Sequence, residues 1–231
     1  MTVLFLAVLR AIIEHSPEVN DLNFYEMSNK IKKIQNYVLR CCSYLSCMPA
    51  SKNVVYLTFD DGPEPGITEF VLDELEQYGY KATFFCCGDN AEKNPQLFSM
   101  LHKRGHAIGN HTYSHLHAYD ATAKVYIEDV SRADAILQTK LFRPPHGSLT
   151  LPIWLKLKKK KIVFWALNSE DSDIENFNFE RAISNLIKNT HPGDVVLFHF
   201  CHKHENETRQ ILPAYLKWLS ENGYEGKAIE Y

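Results

Sequence analysis

Val54-Val55-Tyr56-Leu57-Thr58-Phe59-Asp60-Asp61-Gly62-Pro63 runs six strand-forming residues straight into two aspartates and a Gly-Pro turn. An amphipathic helix is predicted after it, over Ile67–Tyr78, where Ile67, Phe70, Val71 and Leu75 share a face. The same pairing repeats downstream. Strands are predicted at Ala82–Cys87, His106–Asn110, Leu141–Phe142, Ile162–Leu167, Asp194–Phe200 and Lys227–Ile229. Helices are predicted from Pro95 to Arg104, over Lys124–Gln138, around Trp154 and Leu157, and over Glu180–Lys188 and Ile211–Leu219. Asn94 is expected to cap the helix that Pro95 opens. About seven βα units with few hairpin signals imply an α/β fold with a parallel sheet covered by helices. A doubly wound sheet and a (β/α) barrel fit this alternation equally.

Upstream the pattern changes. Phe24, Met27, Ile31, Ile34 and Val38 recur at helical spacing, so residues 1–51 read as a helical N-terminal extension to a domain over 52–231. Val3–Leu9 suits either a signal segment within residues 1–15 or a helix packed on the domain; no Lys or Arg precedes it and Arg10 interrupts it. No apolar run approaches the ~20 residues that span a bilayer.

The chain of 231 residues carries 25 Lys+Arg against 28 Asp+Glu, a net charge of −3, which gives a nucleic-acid role no electrostatic support. No strand is followed by a Gly-rich dinucleotide turn or a P-loop. The six cysteines form no CxxC pair, so a zinc ribbon is excluded and buried small apolar residues with one surface disulfide are expected. Lys156–Lys161 reads as a solvated run at a helix C-terminus.

Reactive side chains gather at the C-terminal ends of the predicted strands, the edge where parallel α/β folds bind ligands. Asp60 and Asp61 follow the first strand, His111 and His115 the third, and Arg143 the fourth; Asp171 follows the fifth and His199 lies in the sixth. Any one of them alone is an ordinary cap or surface residue. Together they suit metal-assisted hydrolysis. Asp61, His111 and His115 form a ligand set for zinc or a similar ion, the two histidines at i and i+4 sharing one face of a helical turn. A turn at Gly62-Pro63 leaves Asp60 free to act as base, paired with Arg143. His199, oriented by Asp171, gives a proton to the leaving group from the opposite wall. A non-haem iron oxygenase also uses two histidines and a carboxylate, but has less need for the second carboxylate and the opposed histidine.

These residues resemble the motifs of the polysaccharide deacetylase family, the NodB-homology domain of carbohydrate esterase family four. Thr58-Phe59-Asp60-Asp61-Gly62 is similar to its first motif, with the catalytic base at Asp60 and a metal ligand at Asp61. Gly105 to His115 resembles the second, whose histidines bind metal; Arg143-Pro144-Pro145-His146-Gly147 the third; and Leu197-Phe198-His199 the fifth, which supplies the acid. The resemblance implies a distorted (β/α) barrel of about seven parallel strands. It also implies a zinc or cobalt cofactor and removal of N-acetyl groups from N-acetylglucosamine polymers such as chitin or peptidoglycan. A monomer acting outside the cytoplasm, secreted or at the cell surface or wall, is expected, and the sequon Asn206-Glu207-Thr208 would permit glycosylation there.

Three positions depart from the family pattern. His146 stands where the family usually has Tyr, at the backbone N–H expected to stabilise the oxyanion; Asn168 replaces an Asp; and Ser172 replaces a Trp wall. The changes open the alternatives of a different acetylated sugar or small amide as substrate, or a carbohydrate-binding role with little turnover.

Overall fold

Strand β1 (Val54–Asp61) is the central strand of the structure, a computed structural model that describes residues 46–48 and 52–230. Its side chains alternate between two buried faces. Leu57 and Phe59 join the helix-covered core, where Phe59 stacks on Phe84 and Phe198 of the flanking strands, ring centres 5.1 and 5.5 Å apart. Thr58 and Asp60 point the other way, both hydrogen-bonded to Arg143. Burial on both faces explains the near-continuous apolar run in the sequence.

On one side of β1 lie, in order, β2 (Thr83–Cys86), β3 (Ala107–Asn110), β4 (Leu141–Phe142) and β5 (Lys161–Ile162). On the other lie β7 (Val195–His199) and then β6 (Leu167–Asn168). A short β8 (Glu225–Lys227) pairs with the first half of β1, and every pairing between these strands is parallel. Helices α1 (Ile67–Gln77), α2 (Gly88–Lys93), α3 (Pro95–Lys103), α4 (Ala123–Leu137), α5 (Leu151–Lys156), α6 (Phe179–Asn189) and α7 (Glu205–Glu221) connect them. The curled sheet is the distorted (β/α) barrel expected from the sequence. The expected N-terminal helices and signal segment fall outside the described residues; of residues 1–51 only 46–48 are described, with Cys47 bridging antiparallel to Asp194.

The structure corrects four local expectations. Ile162–Leu167 is not one strand: Ile162 pairs with β4 at one edge of the sheet and Leu167 with β7 at the other, so the segment between them crosses the barrel. The fully buried Arg143 fills that crossing, its Nε and Nη2 donating to the carbonyls of Val163 and Phe164 at 3.2 and 3.1 Å. Asn94 occupies the N-cap position of α3 with Pro95 after it, but its side chain makes no cap hydrogen bond and donates instead to the Pro63 and Asn90 carbonyls. The lysine run is only partly solvated, since Lys160 turns in to pair with Asp134 and the Thr139 carbonyl. The last helix starts six residues early, at Glu205, so Thr208 of the sequon is buried rather than displayed.

Gly62 closes β1 against the strand that carries His199. A Cβ there would sit 2.5 Å from the Phe200 carbonyl oxygen, and Phe200 N–H donates to the Asp60 carbonyl at 3.0 Å, so the backbone has no room to yield. Gly62→Ala is expected to destabilise the protein by about 1–3 kcal/mol, read as a lower urea midpoint at unchanged slope. An unchanged midpoint would contradict this packing.

Candidate active site

Regular alternation would point Asp60 and Asp61 to opposite faces. The chain avoids this at Asp61 itself, which has φ 85°, rather than at the following Gly-Pro turn as the sequence suggested. A non-glycine residue in that region stores about 1–3 kcal/mol of strain, and the structure holds it by the Asn90 side-chain amide donating to the Asp61 carbonyl at 2.8 Å. Both carboxylates thereby line one cavity of about 280 Å³, with His111, His115 and His199.

His111 and His115 converge, ring centres 5.1 Å apart, but no helical turn brings them together. They sit on an irregular loop with positive φ at Thr112 and His115. Polar side chains pin the loop: Asn110 accepts from Thr112 N–H, and Asp129 on α4 accepts from the N–H groups of Tyr113 and Ser114 and the Ser114 hydroxyl. His111 Nδ1 lies 2.7 Å from the Arg143 carbonyl and can only donate to it, which leaves the Nε2 lone pair of the neutral ring facing the cavity.

Asp61 Oδ1 is buried, without a hydrogen-bond partner, 3.3 Å from His111 Nε2 and 3.2 Å from His115 Nε2. Acceptors converging on one point with no donor between them suit a cation, and one carboxylate with two imidazoles fits a divalent ion such as zinc.

Asp60 is held by Arg143 Nη1 at 2.7 Å through Oδ1, and its Oδ2 lies 3.7 Å from His111 Nε2. Across the cavity, His199 Nδ1 is 2.8 Å from Asp171 Oδ1. The fully buried Asp171 also accepts from the His199 N–H and from the Thr208 hydroxyl. Burial lowers the His199 pKa, yet the charge and hydrogen bond of Asp171, with Asp61 and Asp60 adding, raise it to about 9. Burial likewise raises Asp171, and His199 more than reverses this.

Five of the seven residues singled out from the sequence therefore line one cavity, and Arg143 and Asp171 are buried behind it, holding Asp60 and His199. Four more were missed. His204 is buried with its ring 4.8 Å from that of His199, and burial first, then the charge of His199, brings it down to about 4. Cys201 places its thiol 3.7 Å from Asp61 Oδ2, and burial, then Asp61, pushes that thiol up. Thr208 braces Asp171. Trp165 lines the cavity against Gly147, where a Cβ would come within 2.7 Å of its ring, and so supplies an aromatic wall. His146, at φ 57°, packs its ring on His115 and His117 at 4.8 and 5.1 Å, and burial and the neighbouring histidines lower it to about 4. Asn168 and Ser172 line the rim.

The raised His199 pKa has a defined sign. Against an unfolded value near 6.5, the pair with Asp171 stabilises the fold fully below pH ~6.5 and loses this as pH rises through about 9. Asp171→Asn is expected to lower the His199 titration by about one unit or more, followed by NMR, and to destabilise more at pH 6 than at pH 10. An unmoved His199 titration would contradict the pairing.

A profile of the family described as polysaccharide deacetylase matches residues 48–165. The chain is 33% identical to a peptidoglycan-N-acetylglucosamine deacetylase of Bacillus cereus over 184 residues, 77% of this chain and 86% of that protein. The solved Bc1960 peptidoglycan N-acetylglucosamine deacetylase superposes with a TM-score of 0.76 at 30% identity, over 84% of this chain and 94% of that one. A family 4 carbohydrate esterase of Streptomyces lividans, solved with acetate, superposes with a TM-score of 0.69 at 27% identity, over 79% of this chain and 95% of that one. With sequence, fold and motif order in agreement along most of its length, the chain belongs to the polysaccharide deacetylase family.

Proposed function

We propose that this protein is a divalent-metal-dependent deacetylase that removes the N-acetyl group from N-acetylglucosamine units of a cell-wall glycan of peptidoglycan type. The reading rests above all on one observation: the partnerless Asp61 Oδ1 faces two imidazoles, while the neighbouring carboxylate is held separately by a buried arginine. The names of the relatives point to the glycan. Its place of action is outside the cytoplasm, at the cell wall; no helix among the described residues is long and apolar enough to cross a membrane.

Asp61, His111 and His115 hold the ion, with zinc as the native metal and cobalt as its substitute. Such an ion, when bound, acidifies a water molecule and polarises an acyl oxygen. Asp60, fixed by Arg143 so that its Oδ2 faces the cavity, takes the proton of the attacking water. His199, charged through neutral pH by its Asp171 pair, gives a proton to the departing amine nitrogen. The backbone N–H of His146 donates to the oxyanion as it forms. Leu197 and Trp165 offer apolar wall to the acetyl methyl. A cavity of about 280 Å³ is below the ~300–1,000 Å³ of sites that enclose a whole ligand, which suits a side group entering from a polymer that stays outside.

Acetate release from peptidoglycan and from N-acetylated chitooligosaccharides tests the proposal. Release from peptidoglycan should exceed that from chitooligosaccharides, stop on chelation and return with zinc or cobalt. Asp60→Asn should lower kcat by about 10²–10⁴ while metal content stays unchanged, and Asp61→Ala should lose the metal. No acetate from either polymer with metal supplied would reject the reading, and equal metal content in Asp61→Ala would reject the ligand assignment.

A further inference from the structure

The second oxygen of Asp61 meets a different set of donors. Oδ2 lies 3.7 Å from Cys201 Sγ, and the ligand atoms of Asp61, Cys201 and His204 all lie within 4.8 Å of one another. Cys201 follows β7 closely and leads into the 3-10 turn His202–His204. Cys201 is the extended residue that opens this turn and His204 closes it, and the thiol and imidazole come together beside Asp61. His204 is only 4% exposed and lines the cavity, and its Nδ1 has no hydrogen-bond partner. A buried polar nitrogen left without a partner is rare and calls for a ligand.

We propose that Asp61, Cys201 and His204 form a second divalent-cation subsite beside the one built on His111 and His115. One thiolate, one imidazole and one carboxylate select zinc or cobalt over magnesium or calcium, because sulfur and nitrogen donors suit softer ions. Binding replaces the S–H bond of Cys201 by a sulfur–metal bond and releases that proton to solvent. Asp61 then bridges two ions, one on each oxygen, as carboxylates do in two-metal hydrolases. The subsite shares Asp61 with the proposed catalytic ion but none of its imidazoles, so the two readings fail separately.

The test is a cobalt titration of chelator-treated protein, following stoichiometry and absorption. The wild type should bind two equivalents, one bringing a thiolate-to-cobalt charge-transfer band in the near ultraviolet. Cys201→Ser should lose that band and one equivalent, and His204→Ala should lose the same equivalent. The double variant His111→Ala/His115→Ala should lose the other equivalent and keep the band. A wild type that binds a single equivalent without a thiolate band, lost in the double histidine variant, would overturn the subsite and leave the first site standing. A band that persists in Cys201→Ser comes from another cysteine and would also overturn it.

Discussion

The guanidinium of Arg143 is fully buried where the chain crosses the barrel, over the face of Phe85, and its donors reach two parts of the fold at once. Nη1 holds Asp60 and Thr58 on the central strand, while Nε and Nη2 hold the carbonyls of the crossing segment. Its own carbonyl accepts from His111 and so fixes which nitrogen that ring turns to the cavity. One residue thus closes the barrel, positions the proposed base and orients a proposed ligand. Taking one partner from a buried pair of this kind costs about 3–5 kcal/mol, because the other charge is left uncompensated. A permanently charged, forked side chain is what the position requires; lysine has neither the reach to four oxygens nor the planar geometry.

The cavity above this arginine has two walls of different character. On the Asp61 side, a buried carboxylate oxygen without a hydrogen-bond partner meets two imidazoles, a set that favours a cation. On the His199 side, the carboxylate is matched: Asp171 takes the His199 ring, its backbone N–H and the Thr208 hydroxyl. A carboxylate buried with three donors stays charged and keeps the imidazolium beside it. The proposed acid and base are thereby given different environments, the condition for running both roles at one pH.

Much of this was legible in the sequence, for physical reasons. Strands buried on both faces write themselves as apolar runs, and the reactive residues follow them because the C-terminal edge is where such folds keep their chemistry. The spacing of His111 and His115 predicts that the two rings converge, and they do by another route, since a loop pinned by Asn110 and Asp129 replaces the helical turn. Ile162–Leu167 has strand composition throughout, and nothing local says that its two ends pair at opposite edges; that follows from Arg143, nineteen residues before Ile162. His204 lies in a polar stretch that reads as surface, and only the 3-10 turn tucks it under His199. Trp165 was hidden inside the same misread strand, yet it stands as an aromatic wall where Ser172 no longer does.

The central claim is that Asp61, His111 and His115 hold the ion on which hydrolysis depends. Crystals of the active protein, grown with the metal that sustains acetate release, allow diffraction on either side of that metal's absorption edge. An anomalous peak bonded to Asp61 Oδ1 and to the Nε2 atoms of His111 and His115 is the predicted result. Active crystals with no peak among these three residues would contradict the account.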